Sequence, residues 1–185
     1  MQQFEAFFKR ILNDLRVELS DEFDKNFERK SFFDQSWPQT KWPNGKGSLM
    51  MRTGAGRNSI NSRIEGDSIV WASSLPYMAL HNEGGEITVT AKMIKFFWAM
   101  YYKASGAVGK SAKGAARKTQ RGQRLTAEAE IWKSLALMKP GQKMKIPKRQ
   151  FIGHHPQVDR IAERIIDESV ETLEKDLTKL FNPKN

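Results

Sequence analysis

The side chains best suited to metal or acid–base chemistry are the three histidines of the chain, His81, His154 and His155. His81 and Glu83 have the H-x-E spacing of a zinc-activating site, but the cysteine ligands that complete such a site are absent from this sequence. His154 and His155 are adjacent, so in regular structure they point in different directions and do not chelate one ion. A three-histidine site assembled in space stays open. Capping or hydrogen-bonded surface histidines are the favoured interpretation, and we predict no metal.

Two glycine-containing segments match phosphate-binding motifs in part. Gly109-Lys110-Ser111 matches the end of a P-loop, but that motif needs a glycine where this chain has Ala104. Gly54-Ala55-Gly56 lacks the third glycine of a dinucleotide-binding turn and is more typical of a tight turn. The acidic residues lie mostly near the chain ends beside bases, as Glu171 does with Lys175. Because no nucleophile has an evident base, we predict a protein that is not an enzyme and holds no cofactor.

Length and composition limit the remaining classes. The 185 residues, 39% of them hydrophobic, are enough for one domain with a single core, and we predict one domain over residues 1–185. The absence of cysteine excludes disulfide scaffolds, zinc fingers, iron–sulfur clusters and cysteine-nucleophile enzymes. The longest apolar stretches fall short of the roughly 20 residues that cross a bilayer, and the first residues do not form a secretory signal. We therefore expect a soluble protein that acts inside a cell, with no membrane partner.

The positive charge is concentrated in one segment. The chain has 31 Lys and Arg against 21 Asp and Glu, a formal charge of +10. Residues 103–125 contain no acid, four glycines and no aromatic residue, which predicts a mobile basic loop, because such a composition buries too little apolar surface to become ordered. A solvated loop that only aids solubility is the alternative. The partner-binding candidates in this loop are Lys103, Lys110, Lys113, Arg117, Lys118, Arg121 and Arg124.

Apolar residues repeat at helical spacing at both ends of the chain. They predict a long amphipathic helix over residues 3–30 and another that begins at Pro156. Between them, residues 58–73 have a hairpin pattern with a turn at 65–67, and residues 86–90 and 143–147 each predict a strand. Trp37 and Trp42 are expected to pin a proline-containing connection onto the body, with a partner contact as the alternative.

Two further helices are predicted in the middle of the chain. Apolar residues from Met93 to Tyr101 predict a helix that is capped by Thr90 and packs on the sheet. Thr126 is expected to cap a short helix that runs through Met138. This order predicts the α+β class, in which a small, mainly antiparallel sheet is flanked by long N- and C-terminal helices and carries the mobile basic loop.

Three short segments follow one another between the terminal helices: residues 49–54 running into 58–60, residues 77–85 leading into 87–89, and residues 146–153. Together they resemble the tailed-phage virion morphogenesis family, the Mu-like tail-completion proteins, over about residues 1–180. The chain departs from the family at Gly56, where similar sequences tend to carry an apolar residue. The basic loop is interpreted as an insertion. The positions that match the family motifs are Arg52, Thr53, Gly54, His81, Gly84, Gly85, Pro147, Arg149, Phe151 and Gly153.

The resemblance implies a non-enzymatic structural protein of a phage or prophage virion, which acts in tail completion or head–tail joining and forms a homo-oligomeric ring. It implies other tail or neck proteins as partners, and a location in the virion and, during assembly, in the host cytoplasm. If the basic loops face a lumen or a neighbouring ring, they meet either DNA phosphates or an acidic protein surface. The alternative function is a free basic nucleic-acid-binding protein that uses this loop. Such a protein should interleave aromatic residues with its bases or present a helix that reads the nucleic acid, and the loop has neither.

Overall fold

A computed structural model describes residues 2–40, 48–107 and 119–181. These residues confirm the α+β class and the two long terminal helices. The chain forms two compact units. The terminal-helix unit comprises Met1–Pro38, Gly47–Glu83 and Lys148–Asn185, and the inserted unit comprises Gln39–Lys46 and Gly84–Pro147. The elements in chain order are α1 (Gln2–Arg29), β1 (Ser31–Phe32), β2 (Gln35–Ser36), α2 (Ala55–Asn58), β3 (Ile60–Glu65), β4 (Ser68–Ser73), α3 (Pro76–Glu83), β5 (Gly85–Thr88), α4 (Ala91–Gly106), α5 (Gln120–Ala136), β6 (Lys143–Ile146) and α6 (Pro156–Phe181).

Helices α1 and α6 pack against each other in the terminal-helix unit and run antiparallel. Val158 and Ile161, near the start of α6, pack on the cluster that contains Leu19 and Phe23 of α1. Further along α6, Arg164 forms an ion pair with Glu18, which precedes those two α1 residues in the chain. The contact buries the apolar stripe that helical periodicity predicts for the middle of α1.

The predicted hairpin is confirmed and packs on α1. Strands β3 and β4 pair antiparallel from Ile60 opposite Ser73 to Glu65 opposite Ser68. Trp71 of β4 lies edge-on to Phe23, with ring centroids 5.3 Å apart, and its indole N–H donates to Ser20 Oγ over 2.9 Å. The tryptophan therefore contributes apolar area while its polar atom is satisfied.

The inserted unit contains a two-stranded ladder and a pair of packed helices. Strands β5 and β6 are antiparallel, with Gly85 opposite Ile146 and Thr88 opposite Lys143. Helix α4 begins as predicted, because the Thr90 side chain accepts a hydrogen bond from the Met93 amide. However, α4 packs mainly on α5, through a cluster that includes Phe97, Ala104, Trp132 and Leu135. Met144 of β6 contacts the same cluster.

Three sequence predictions need correction. In the described residues the strands form three separate two-stranded antiparallel ladders rather than one sheet. Thr126 does not cap α5: its hydroxyl donates to the Gly122 carbonyl inside the helix, and Thr119 is the N-cap, accepting from the Gly122 amide. The loop predicted over 103–125 is helical at both ends, because α4 continues through Gly106 and α5 begins at Gln120. Burial of Ala104 and Gly122 against neighbouring side chains stabilises helix where composition alone predicts a loop.

Candidate functional site

The three motifs meet in one part of the terminal-helix unit, which we call the motif junction and which consists of Asn26, Trp37, Met78, His81, Asn82, Arg149 and Phe151. Phe27, Trp37, Met78 and Phe151 form a single buried cluster, and Leu49, Met50 and Met51 of the first motif pack against it. Phe151 is 2% exposed and Met78 1% exposed. The motifs, far apart in sequence, therefore contribute to one core.

Two asparagine side chains hold the third motif in place. Asn82, from α3, accepts hydrogen bonds at Oδ1 from the Phe151 amide at 2.9 Å and from the Ile152 amide at 3.1 Å. Asn26, from α1, is fully buried, donates to the Phe151 carbonyl over 3.2 Å and accepts from the Phe33 amide at 3.0 Å. Residues 150–152 form neither helix nor strand, so these side chains supply partners that a ladder would otherwise provide.

Arg149 and Trp37 complete the junction. The Arg149 amide donates to the His81 carbonyl at 2.7 Å, and its Nε donates to the Pro38 carbonyl at 3.0 Å. Arg149 is 6% exposed, and burial lowers the pKa of its guanidinium below the ordinary value. Trp37 is 4% exposed and donates from Nε1 to the Gln150 carbonyl, which confirms that it pins its connection to the body. Trp42 lies outside the described residues.

The first motif does not lead directly into the hairpin, because α2 lies between them. Arg52 and Thr53 are exposed, and the Thr53 hydroxyl accepts from the Ala55 amide at the start of α2, which precedes β3. Gly54, with φ of +73°, is the N-cap of α2. A Cβ on Gly56 would lie 2.7 Å from the Met78 sulfur. The absence of a side chain at Gly56 therefore allows α2 to approach α3 closely.

The remaining motif positions lie where the chain changes direction. Gly84 and Gly85, with φ of +74° and +154°, form a positive-φ connection into β5. The chain enters the inserted unit for the second time at Gly84 and leaves it after Pro147. Gly153 has φ of +140° and precedes α6. These glycines and this proline therefore lie where a helix or strand begins or where the chain passes from one unit to the other.

The histidines have separate roles. His155 is 6% exposed, accepts from the Gln157 amide through Nδ1 at the start of α6, and contacts Asp34 through Nε2 at 2.9 Å. This confirms the capping interpretation for His155, although the residue is buried rather than at the surface. His154 is exposed and lies 3.5 Å from Asp159. Within the described ranges, no group of three or more His, Asp or Glu side chains is placed to hold a metal ion.

A groove of about 310 Å³ lies beside the junction, lined by side chains such as Ala79, Glu83 and Ile152. Glu83 is the one charged residue in its described lining. Ser73 also lines the groove, and its hydroxyl lies 2.7 Å from Ser59 Oγ and accepts from the Leu75 amide at 3.1 Å. No helix in the part of the chain that the structure describes is long and apolar enough to cross a membrane.

The basic candidates are only partly described. Lys103 lies in the last turn of α4, and Arg121 and Arg124 lie exposed in the first turns of α5. Lys110, Lys113, Arg117 and Lys118 lie outside the described residues. The described members therefore belong to helices of the inserted unit.

Sequence analysis did not single out Asn26, Met78 or Asn82. Asn26 is a polar residue on the apolar stripe of α1, between Phe23 and Phe27, and such an interruption is the signal that could have identified it. Asn82 lies inside the second motif but between better-known residue types. Met78 has no distinctive sequence signal. Comparison of the chain with protein-family models, curated proteins and solved structures found no match.

The junction makes stability depend on pH through His81. Its Nδ1 is buried with no hydrogen-bond partner among the described residues. Burial, and then the charge of Arg149, lowers the pKa of His81 below its ordinary value of 6.5. As pH falls below 6.5, the unfolded chain binds this proton before the folded chain does, so the free energy of unfolding decreases. Urea unfolding at pH 7.5 and 5.5 should show a smaller loss for His81→Phe than for the wild type.

The matched control is His154→Gln, because the His154 side chain is 79% exposed. This variant should retain the wild-type change in the free energy of unfolding between the two pH values. An equal pH dependence in His81→Phe and wild type would contradict the assignment to His81.

Proposed function

We propose that this chain is a non-enzymatic structural protein of phage or prophage virion assembly, which acts in tail completion or head–tail joining as a homo-oligomeric ring. The motif junction supports this proposal, because the family-like residues serve to hold backbone segments and pack a core. The observation that carries it is an apolar surface on the terminal helices that the described chain does not cover. Partners in this role are further copies of the chain and other tail or neck proteins, and the location is the virion.

The apolar end, as we call this surface, consists of Phe4 and Phe8 on α1 with Ile166, Val170, Leu177 and Phe181 on α6. On α1, Phe4 and Phe8 continue the stripe that contains the buried Ile11 and Leu12, yet they are 75% and 45% exposed. Because α1 and α6 run antiparallel, the start of α1 and the end of α6 lie at the same end of the helix pair.

Helix α6 has a second apolar stripe besides the one that faces α1. Ile166, Val170, Leu177 and Phe181 recur at helical spacing about 100° around the helix from the stripe that includes Val158 and Ile165. Their exposed fractions are between 41% and 80%. A helix needs only one apolar stripe to pack on one neighbour, so the second stripe supports a contact with another chain.

In this proposal the apolar end contacts a different surface of the next copy. Such a heterologous contact can close a ring, whereas an isologous contact, which uses the same surface on both copies, gives only a pair. Repetition of such a contact with a closing rotation gives a ring and places identical basic segments around one axis. Their charge supports contact with DNA phosphates or with an acidic protein surface in that ring. The inserted unit is where these segments lie.

The test is inactivation of the gene in its phage or in an inducible prophage, followed by electron microscopy of the particles. We expect unjoined heads and tails, or tails of abnormal length, and the loss of infectious particles. Expression of the wild-type chain in trans should restore tailed particles, whereas Leu177→Asp should not. Normal tailed, infectious particles without the gene would contradict the proposed function.

A further inference from the structure

The positive charge of the chain lies in the inserted unit, and the basic loop accounts for only part of it. The inserted unit has 15 Lys and Arg against 3 Asp and Glu, a formal charge of +12. The terminal-helix unit has 16 against 18, a charge of −2. Even the described residues of the inserted unit carry 9 bases against 3 acids. The described part of this unit is therefore basic in its own right.

The exposed face of α4 combines lysines with aromatic rings. Lys92, Lys95 and Lys103 lie along its centre, with Phe96 at one edge and Tyr102 at the other, within about 120° of the helix circumference. All five are exposed, Phe96 by 51% and Tyr102 by 65%. Among the described residues, no carboxylate forms an ion pair with any of the three lysines. We call these five residues the α4 face.

Packing beneath the α4 face holds its rings in position. Tyr102 stacks on Trp98, with ring centroids 5.9 Å apart and an interplanar angle of 27°. Phe96 lies edge-on to Trp132, with centroids 6.0 Å apart and an angle of 89°. These contacts reduce the freedom of rings whose outer surfaces meet solvent, so little ordering is needed when a planar ligand stacks on them.

We propose that the α4 face binds single-stranded nucleic acid, with Tyr102 and Phe96 stacking on bases and the three lysines contacting phosphates. Such surfaces combine basic side chains that follow the backbone with aromatic rings for the bases. A protein partner is less favoured, because lysine is depleted at protein interfaces and here occupies the centre of the face. This proposal does not depend on a role in virion assembly. It supplies the interleaved aromatic residues that the sequence of the loop lacks.

The test measures the anisotropy of fluorescein-labelled dT20, rU20 and a 20-base-pair duplex with the full chain at 50 and 200 mM salt. Three phosphate contacts to a single strand predict a salt slope of about −2 and about 20-fold weaker binding at the higher salt. A triple Lys92→Gln, Lys95→Gln, Lys103→Gln variant should lose most of this salt dependence. The two single strands distinguish DNA from RNA as the preferred source of the bases.

A separate variant tests whether bases stack on Tyr102. Tyr102→Ala should weaken binding of the single strands about tenfold and leave duplex binding unchanged, because paired bases are not free to stack. Matched controls in the terminal-helix unit are Tyr77→Ala, at a tyrosine that is 48% exposed, and a triple Lys148→Gln, Lys175→Gln, Lys179→Gln variant. Both should bind as the wild type does, and circular dichroism should show that every variant is folded.

Three binding results would overturn the proposal. They are no binding of either single strand at 50 mM salt, an unchanged affinity of Tyr102→Ala, and equal losses in the two triple-lysine variants. A change in the oligomeric mass of the α4-face variants without a change in nucleic-acid binding would also overturn it, and would assign the face to a protein contact. Because the proposed assembly role is tested by particle morphology, failure of one proposal does not imply failure of the other.

Discussion

Replacing Asn26 with leucine is expected to lower the free energy of unfolding by about 4 kcal/mol, since two buried backbone groups would each lose a partner at a cost of about 1–3 kcal/mol. The groups are the Phe33 amide and the Phe151 carbonyl. Phe33 also has φ of +52°, a conformation that is unfavourable for a bulky residue and that the bond from Asn26 helps to hold. Leucine has the same number and branching of side-chain heavy atoms as asparagine, so the variant removes the hydrogen bonds without leaving a cavity.

Urea unfolding, followed by circular dichroism at pH 7.5, measures this change. The matched control is Asn13→Ala on the same helix, because Asn13 is exposed and its side chain only accepts a surface bond from Arg16. That control should change the free energy of unfolding by less than about 0.5 kcal/mol. Similar values for the two variants would contradict the claim that Asn26 stabilises the fold by joining α1 to the third motif through buried hydrogen bonds.

The second large effect is expected at the apolar end. A double Phe8→Asp, Leu177→Asp variant should weaken self-association more than 100-fold, since it would place two charges in the proposed apolar contact. The folded subunit should be little affected, because Phe8 is 45% and Leu177 42% exposed. Sedimentation velocity over a range of concentrations measures the association, and circular dichroism checks the fold.

Val17→Asp is the matched control for that variant. Val17 is 54% exposed and lies on α1 about 180° around the helix from Phe8. It should therefore associate as the wild type does. Loss of association in Val17→Asp, or its retention in the double variant, would show that the apolar end is not the subunit contact.

Much of the fold follows from local sequence patterns. The terminal helices, the β3–β4 hairpin, the start of α4 and strand β6 are each specified by periodicity, a cap or a turn within a few residues, and the structure confirms them. The limits of the basic segment do not follow in this way. Thr119 and Thr126 are equally good caps by composition, and burial of Gly122 and Ala129 in α5 decides between them.

The motif junction could be predicted only in part. The sequence identifies Arg149, Phe151 and the glycines as motif positions, but their partners are long-range. The Asn26–Phe151 and Asn82–Ile152 bonds join residues 125 and 70 positions apart. Spacing within a motif gives no information about such contacts, because they depend on how α1, α3 and the segment before α6 come together. The basic α4 face was missed for a related reason, since helical periodicity assigns Phe96 to the core and Tyr102 lies just beyond the residues of that pattern.

The central claim is that this chain assembles through its apolar end into a ring. The most direct test is the mass of the purified full-length chain by multi-angle light scattering at concentrations from about 1 to 100 μM, with negative-stain images of the same sample. The account predicts a defined multiple of 21.2 kDa and closed rings in the images. A mass equal to that of one chain at every concentration would contradict it.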